Sequence, residues 1–155
     1  MFNVVNYYRL SSYFGATKFS FLSKIIDYII RLVFSCWIPH TVKSGRNLVL
    51  GYGGLSIVIH SDVVIGDNVH IDQCVTIGGN GTVYGVPKIG NNVYIGAGAK
   101  ILGPITIGDE CVIAANAVVL SSIPSGSVAA GVPSKIVKEG IVLNEYLYHL
   151  KNVVD

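Results

Sequence analysis

Charged residues are scarce in this sequence of 155 residues, and their scarcity excludes several classes of protein. Asp, Glu, Lys and Arg together make up 13% of the chain, hydrophobic residues make up 51%, and the formal net charge is +2. Proteins that bind nucleic acid concentrate lysine and arginine on one face, so no nucleic-acid partner is expected. A chain this apolar is not intrinsically disordered, and its length suits a single domain.

Cysteines are also few, and their spacing shows no pairs. Cys36, Cys74 and Cys111 form an odd set, so we interpret all three as reduced packing residues. The sequence does not open with the basic stretch, short apolar stretch and small-residue cleavage site of a secretory signal. These two observations predict a cytoplasmic protein.

No apolar run is long enough to cross a bilayer without meeting charges. The most apolar stretch, residues 19–38, is interrupted by Lys24, Asp27 and Arg31 at intervals too short for a transmembrane span. This pattern predicts an amphipathic helix that packs on the rest of the protein or on a neighbouring subunit. Peripheral contact of this helix with a membrane surface is the alternative.

Branched aliphatic residues recur at every sixth position through the middle of the chain. The first series consists of Ile59, Ile65, Ile71, Ile77, Val83, Ile89, Ile95, Ile101, Ile107, Ile113 and Val119. The second series follows four residues later and consists of Val63, Val69, Val75, Val93, Ala99, Ile105, Cys111, Ala117 and Ile123, with breaks at Gly81 and Pro87. This period fits neither a helix nor a hairpin sheet, and it is typical of a parallel β-helix.

The repeat divides the chain into three parts. A helical segment covers residues 1–39, the β-helix covers 40–138, and a closing segment with a short helix covers 139–155. The break in the second series predicts that residues 78–87, which contain four glycines and a proline, project from the β-helix as a loop. Loops on rigid scaffolds are frequent sites of function.

Several motifs in the repeat region identify a family. VTIGG, the glycine-rich loop, PKIG, YIGAGAKILG and GVPSKIV occur in this order over about residues 48–138. In these motifs the chain resembles the hexapeptide-repeat acyltransferases, and most closely their serine acetyltransferase-like branch. The resemblance implies a left-handed parallel β-helix, a homotrimer, and acetyl-CoA bound in the groove between adjacent subunits. The left hand follows from the resemblance alone, since parallel crossovers are ordinarily right-handed.

The resemblance also implies which residues contact CoA. Ala97 in YIGAG and Ala115 in IAANA match the small residues that line the pantetheine arm, and they lie one coil of the family's β-helix apart. Lys135 and Lys138 in PSKIVK match the basic residues that meet the phosphates, a role that suits a mobile point charge. Gly79, at the start of the loop, is a further candidate.

At the positions that match the catalytic residues of the serine acetyltransferases, this sequence has other residue types. Where those enzymes have an Asp-His pair before the loop, the alignment of VTIGG places Tyr52 and Gly53. Where they have a second histidine before PKI, this sequence has Val86. These differences favour an acceptor other than serine.

Histidine is the usual general base at neutral pH, and the chain has four. His40 and His149 lie outside the repeats, and His70 is interpreted as a solvated residue on an outward strand position. His60 directly follows Ile59 at a corner, so we predict that His60 is the base. Asp62 is predicted to orient its ring.

Tyr52 and Tyr84 are predicted to contact the acceptor, and a backbone N–H of Gly53, Gly54 or the loop is predicted to stabilise the oxyanion. The sequence thus predicts an acetyl-CoA-dependent O-acetyltransferase that acts directly, without an acyl-enzyme, on a hydroxyl of a sugar or polysaccharide precursor. Cys74 is a poor candidate for a nucleophile because it directly precedes the repeat residue Val75 and its thiol has no histidine partner in sequence.

Three alternatives stay open at this stage. The first is a serine O-acetyltransferase, and the second is a trimeric scaffold without catalytic activity. The third is a γ-type carbonic anhydrase, which holds zinc with three histidines. Only His60 and His70 lie on the repeats, and a catalytic zinc needs three protein ligands, so no metal is expected.

Overall fold

Stacked coils of a parallel β-helix form the body of the molecule, as the sequence period predicts. The computed structural model describes residues 3–146. The helices are α1 (Val4–Gly15), α2 (Ser20–Phe34) and α3 (Leu143–Tyr146). The strands are β1 (Lys43–Ser44), β2 (Val49–Leu50), β3 (Val58–Ile59), β4 (Val64–Ile65), β5 (His70–Ile71), β6 (Thr76–Gly78), β7 (Lys88–Ile89), β8 (Tyr94–Ile95), β9 (Lys100–Leu102), β10 (Thr106–Ile107), β11 (Val112–Ile113), β12 (Val118–Val119), β13 (Val128–Ala130) and β14 (Lys135–Lys138).

The strands form three sheets, one on each face of a prism. The first sheet has the order β1-β4-β7-β10, the second β2-β5-β8-β11-β13-β14, and the third β3-β6-β9-β12. Strands within each sheet are parallel, except that β14 pairs antiparallel with β13. Because successive strands in the chain belong to successive sheets, each coil turns at three corners, and the corners stack into three edges.

Both aliphatic series point into the prism. Their members are buried, and equivalent residues such as Ile95 and Ile113 lie directly opposite each other on paired strands. Val83 is the exception, because it is exposed in the loop. Thr76 pairs with Lys100 across the loop, whereas Lys100 pairs with Val118, so the loop lengthens its coil by one hexapeptide. An insertion of this length preserves the period in the sequence while Val83 leaves the core.

The N-terminal segment contains two helices. The amphipathic pattern of residues 19–38 corresponds to α2, which ends at Phe34 because Ser35 adopts the left-handed conformation with φ of 51°. Trp37 then pairs with Val58 and joins the chain to the third sheet. None of the helices within residues 3–146 is long and apolar enough to span a membrane.

A buried polar cluster fixes these helices to the β-helix. Asp27 faces inward from α2, where its Oδ1 accepts a hydrogen bond from the Ser11 hydroxyl at 2.6 Å. Its Oδ2 lies 2.7 Å from His40 Nδ1. Asp27 is one of the three charged residues that interrupt the apolar pattern of α2. Its carboxylate links both helices to the segment before β1.

The C-terminal segment packs on the outer face of the second sheet. Ile141 and Leu143 contact Val112 and Val128, and Tyr94 lies against this cluster. The predicted short helix is present as α3, while the remainder of the closing segment, with His149, lies outside the described residues.

We predict that Asp27→Ala lowers the free energy of unfolding by about 3 kcal/mol, because the change leaves buried partners without their carboxylate. Chemical denaturation at fixed protein concentration measures this difference. Glu139→Ala, at an exposed position, is the control and should change stability by less than about 0.5 kcal/mol. Equal effects of the two variants would contradict a structural role of Asp27.

Candidate active site

The predicted site residues lie on two different edges of the prism. The first, which we call the loop edge, joins the third and first sheets and carries His60 and the loop 79–87. A cleft of about 560 Å³ opens there. It is lined by His60, Asp62, Gly79, Gly81, Thr82, Val83, Tyr84, Gly85 and Val86. One subunit thus brings together His60, Asp62, Gly79 and Tyr84 in this cleft.

His60 does not form a close pair with Asp62. Its side chain is 48% exposed, and 3.9 Å separates His60 Nδ1 from Asp62 Oδ2. The backbone N–H of Asp62 instead donates to His60 Nδ1 at 3.3 Å. A ring nitrogen that accepts a hydrogen bond carries no proton, so the neutral ring has its proton on Nε2. In this arrangement neither ring nitrogen presents a free lone pair.

The other residues of the loop edge are open to a ligand. Tyr84 is almost fully exposed, and a side chain at Gly79 would make only ordinary contacts with neighbouring atoms. Val86, at the position where the resemblance expects a second histidine, packs against the core.

The second edge, which we call the alanine edge, joins the second and third sheets. Ala97 and Ala115 stack there one coil apart, since the Asn116 N–H donates to the Ala97 carbonyl at 2.8 Å. The Gly98 N–H donates in turn to the Gln73 carbonyl at 2.9 Å. Gln73, Ala97 and Ala115 therefore form one column.

Tyr52 lies at the alanine edge, away from the cleft that holds His60 and Tyr84. The chain between β2 and β3 contains a short, kinked 3-10 segment, Gly51–Gly54. Tyr52, Gly53 and Gly54 all have positive φ, a conformation that costs free energy at a tyrosine. Val49 pairs with His70, three residues further along the chain than the later coils require, so this corner is enlarged.

Beneath this corner is a hydrogen-bonded cluster that the sequence interpretation missed. His70 Nε2 lies 3.0 Å from Asp72 Oδ1, and the Tyr94 hydroxyl donates to Asp72 Oδ2 at 2.5 Å. The His70 side chain is 19% exposed, so the prediction of a solvated residue is wrong. Because the loop lies between His70 and Tyr94 in sequence, only the pairing of β5 with β8 brings them together.

Tyr94 is a dependable hydrogen-bond donor in this cluster. Burial, and then the hydrogen bond to Asp72, raise the pKa of Tyr94 to about 12. The phenol therefore keeps its proton at neutral pH and holds one oxygen of Asp72, which leaves the other oxygen for His70.

The two lysines lie on β14 at the end of the second sheet. Lys135 pairs with Ala130, near the end of the alanine edge, and Lys138 pairs with Val128 at the other end of the strand. Both are exposed, and Lys138 Nζ lies 4.9 Å from the ring centre of Tyr146.

The cysteines are all free, but they are not all packing residues. Cys36 and Cys111 are buried, and burial raises the pKa of Cys36 to about 12. Cys74 is exposed at a corner with φ of 63°, so its interpretation as a packing residue is wrong. Within residues 3–146, no group of three or more His, Cys, Asp or Glu side chains could hold a metal ion.

Comparisons with known proteins agree with the fold and the motifs. A family model described as bacterial transferase hexapeptide (six repeats) matches residues 87–121. A serine acetyltransferase of Helicobacter pylori strain J99 is 40% identical over 132 residues, which cover 84% of this chain and 77% of that protein. A serine acetyltransferase of Staphylococcus xylosus is 44% identical over 120 residues, covering 76% of this chain and 55% of that protein.

The solved structures that are similar to this chain include further serine acetyltransferases. The serine acetyltransferase of Brucella abortus strain S19 in complex with coenzyme A is 35% identical and has a TM-score of 0.83, covering 89% of this chain and 56% of that one. A soybean serine acetyltransferase complexed with serine has a TM-score of 0.81 at 34% identity, covering 86% and 56%. The chain thus spans little more than half the length of these structures.

These comparisons correct the predicted acceptor. The sequence analysis favoured a sugar or polysaccharide hydroxyl because the family's Asp-His pair is missing. The relatives and structures reported above are all serine acetyltransferases, so the prediction of a sugar acceptor and of a role in polysaccharide biosynthesis is wrong.

We predict that Asp72→Asn lowers the pKa of Tyr94 only partly, because the burial that raises it most remains in the variant. NMR titration of the tyrosine Cζ resonances, with Tyr94→Phe for assignment, measures this change. An unchanged pKa in Asp72→Asn would contradict the hydrogen bond between Tyr94 and Asp72.

Proposed function

This chain belongs to the hexapeptide-repeat transferase family, in its serine acetyltransferase-like branch, and we propose that it transfers the acetyl group of acetyl-CoA to the hydroxyl of L-serine. The observation that carries the proposal is the 40% identity to a serine acetyltransferase over 84% of the chain. The solved serine acetyltransferases reported above cover 86% and 89% of this chain.

The donor is proposed to lie along the alanine edge. Ala97 and Ala115 have small side chains that leave room for a thin pantetheine arm, and they stack one coil apart along this edge. Lys135, near the end of this edge, offers a mobile cation to the phosphates. Lys138 and Gly79 stay predictions for the same ligand.

A trimer would complete this site. In one subunit, His60, Asp62 and Tyr84 lie on the loop edge, whereas Tyr52 and the two alanines lie on the alanine edge. The loop projects from its edge and is able to reach the alanine edge of a neighbouring subunit. We therefore propose a homotrimer in which adjacent subunits share each active site.

Acetyl transfer is proposed to be direct. The serine hydroxyl attacks the thioester carbonyl while a histidine takes its proton, and a backbone N–H of the Gly53-Gly54 pair stabilises the oxyanion. His60 is the base that the sequence predicts, with Asp62 predicted to orient its ring. A scaffold without activity, the alternative, would bind CoA without turnover.

We predict that the purified protein releases free CoA thiol from acetyl-CoA when L-serine is present. Ala115→Leu should raise the KM for acetyl-CoA about tenfold or more, because the longer side chain obstructs the pantetheine arm. Thr106→Leu, exposed on the first sheet, is the matched control and should leave KM unchanged. No turnover of L-serine by the wild-type protein would contradict the proposed function, and an unchanged KM in Ala115→Leu would contradict the proposed donor site.

We propose that the outer face of α2 contacts a membrane surface, which is the alternative that the sequence left open. Phe21, Ile25 and Leu32 are exposed on it, and the only exposed charges of this helix are Lys24 and Arg31, because Asp27 is buried. Exposed apolar side chains flanked by cations alone suit the interface of an anionic bilayer.

We predict that the protein cosediments with vesicles containing phosphatidylserine and less with vesicles of phosphatidylcholine alone. Leu32→Glu should abolish most of this binding, because it puts a carboxylate on the apolar face. Asn6→Glu, which adds the same charge at an exposed position of α1, is the control. Equal sedimentation with and without vesicles would mean that α2 covers another protein surface.

A further inference from the structure

We propose that His70 is the general base of this site and that Asp72 and Tyr94 position it. The inference rests on the proposed acetyl transfer and names the group that takes the proton from the acceptor hydroxyl. It departs from the sequence prediction of His60, and the geometry of the two rings is the reason.

His70 is held in the tautomer that a base needs. Asp72 is a carboxylate and only accepts hydrogen bonds, so the 3.0 Å contact requires that His70 Nε2 carries the ring proton. The lone pair then lies on Nδ1, which forms no hydrogen bond to any residue in the described range 3–146. A carboxylate that accepts from one ring nitrogen fixes the ring and stabilises the imidazolium that forms when the other nitrogen takes a proton.

Asp72 is itself fixed. The Tyr94 hydroxyl donates to its second oxygen at 2.5 Å, and the His70 and Tyr94 rings are 5.3 Å apart. Tyr94 also packs against the C-terminal cluster on the second sheet. The three side chains form a chain of hydrogen bonds from phenol to carboxylate to imidazole, anchored at its far end.

His60 lacks each of these features. Its Nδ1 accepts from a backbone N–H, its carboxylate neighbour is 3.9 Å away, and about half of its side chain is exposed. The charged form of His60 therefore has no carboxylate within hydrogen-bonding distance to stabilise it.

The local backbone is shaped around the His70 cluster. A Cβ at Gly51 would lie 2.7 Å from Asp72 Oδ1 and 3.5 Å from His70 Nε2, so a side chain there would push the Asp72 carboxylate from its place beside His70. The enlarged corner at Tyr52 comes directly after Gly51 in sequence, and it leaves the Tyr52 side chain exposed above the cluster. Both features occur in the same turn, Gly51–Gly54.

The cluster also lies where the proposed donor passes. Asp72 immediately precedes Gln73, which stacks with Ala97 and Ala115 in the column of the alanine edge. A thioester bound along that column would have its carbonyl near Tyr52 and His70. The loop cleft with His60 lies on the other edge, and only a neighbouring subunit would bring it there.

The proposed step balances as follows. The acceptor oxygen forms a bond to the acyl carbon while its proton moves to His70 Nδ1. The bond between the acyl carbon and sulfur then breaks, and the imidazolium returns the proton to the departing CoA sulfur. Acetyl ester and free CoA are the products, and His70 is neutral again.

The first test compares kcat for L-serine in matched variants. His70→Ala should lower kcat by about 100-fold or more with the KM for acetyl-CoA unchanged, and Asp72→Asn and Tyr94→Phe should lower kcat by smaller factors. Thr106→Ala, on another sheet, is the control for handling and folding. Full activity of His70→Ala, with the loss found in His60→Ala instead, would overturn the inference while leaving the proposed function in place.

The second test does not depend on the acceptor. Nitrogen-15 shifts of the histidine rings in the wild-type protein report which nitrogen carries the proton, with His70→Gln for assignment. We expect His70 to be protonated on Nε2, and Asp72→Asn to disturb this preference. A proton on Nδ1 would overturn the inference, and this result is readable even if L-serine is not turned over and the proposed function fails.

Discussion

The stacking of inward aliphatic side chains in parallel register is the constraint on which the rest of the structure depends. Each buried residue of one coil lies on its equivalent in the next, as Ile71, Ile95 and Ile113 do along the second sheet. Burial of these side chains stabilises the prism, and the same register aligns every outward and corner residue into columns. A site on such a scaffold is therefore built from residues that lie about one coil apart in sequence.

The two candidate bases, His60 and His70, lie where the regular coil is interrupted. The loop 79–87 lengthens one coil by a hexapeptide and creates the cleft around His60, and the turn Gly51–Gly54 enlarges the corner above His70. The loop keeps the six-residue phase of the buried series, whereas the turn adds three residues between the buried Leu50 and Ile59, before the regular series begins. The alanine column between them stays regular, which suits a shelf for a long, thin ligand.

The sequence was sufficient for the features that depend on the six-residue period alone. The β-helix and the position of the loop follow from this period, and the family resemblance adds that Ala97 and Ala115 lie one coil apart. The cluster of His70 and Tyr94 could not be found in this way, because the loop adds six residues between two strands that pair. The inward orientation of Asp27 depends on how α2 packs, and the acceptor class was wrong because it was argued from absent residues alone.

A crystal structure of the protein with CoA and L-serine bound would test the central claim most directly. The account predicts that pantetheine follows Ala97 and Ala115 and that the serine hydroxyl lies within hydrogen-bonding distance of His70 Nδ1, beside Tyr52. Serine bound in the loop cleft against His60, or CoA bound away from the alanine edge, would contradict it.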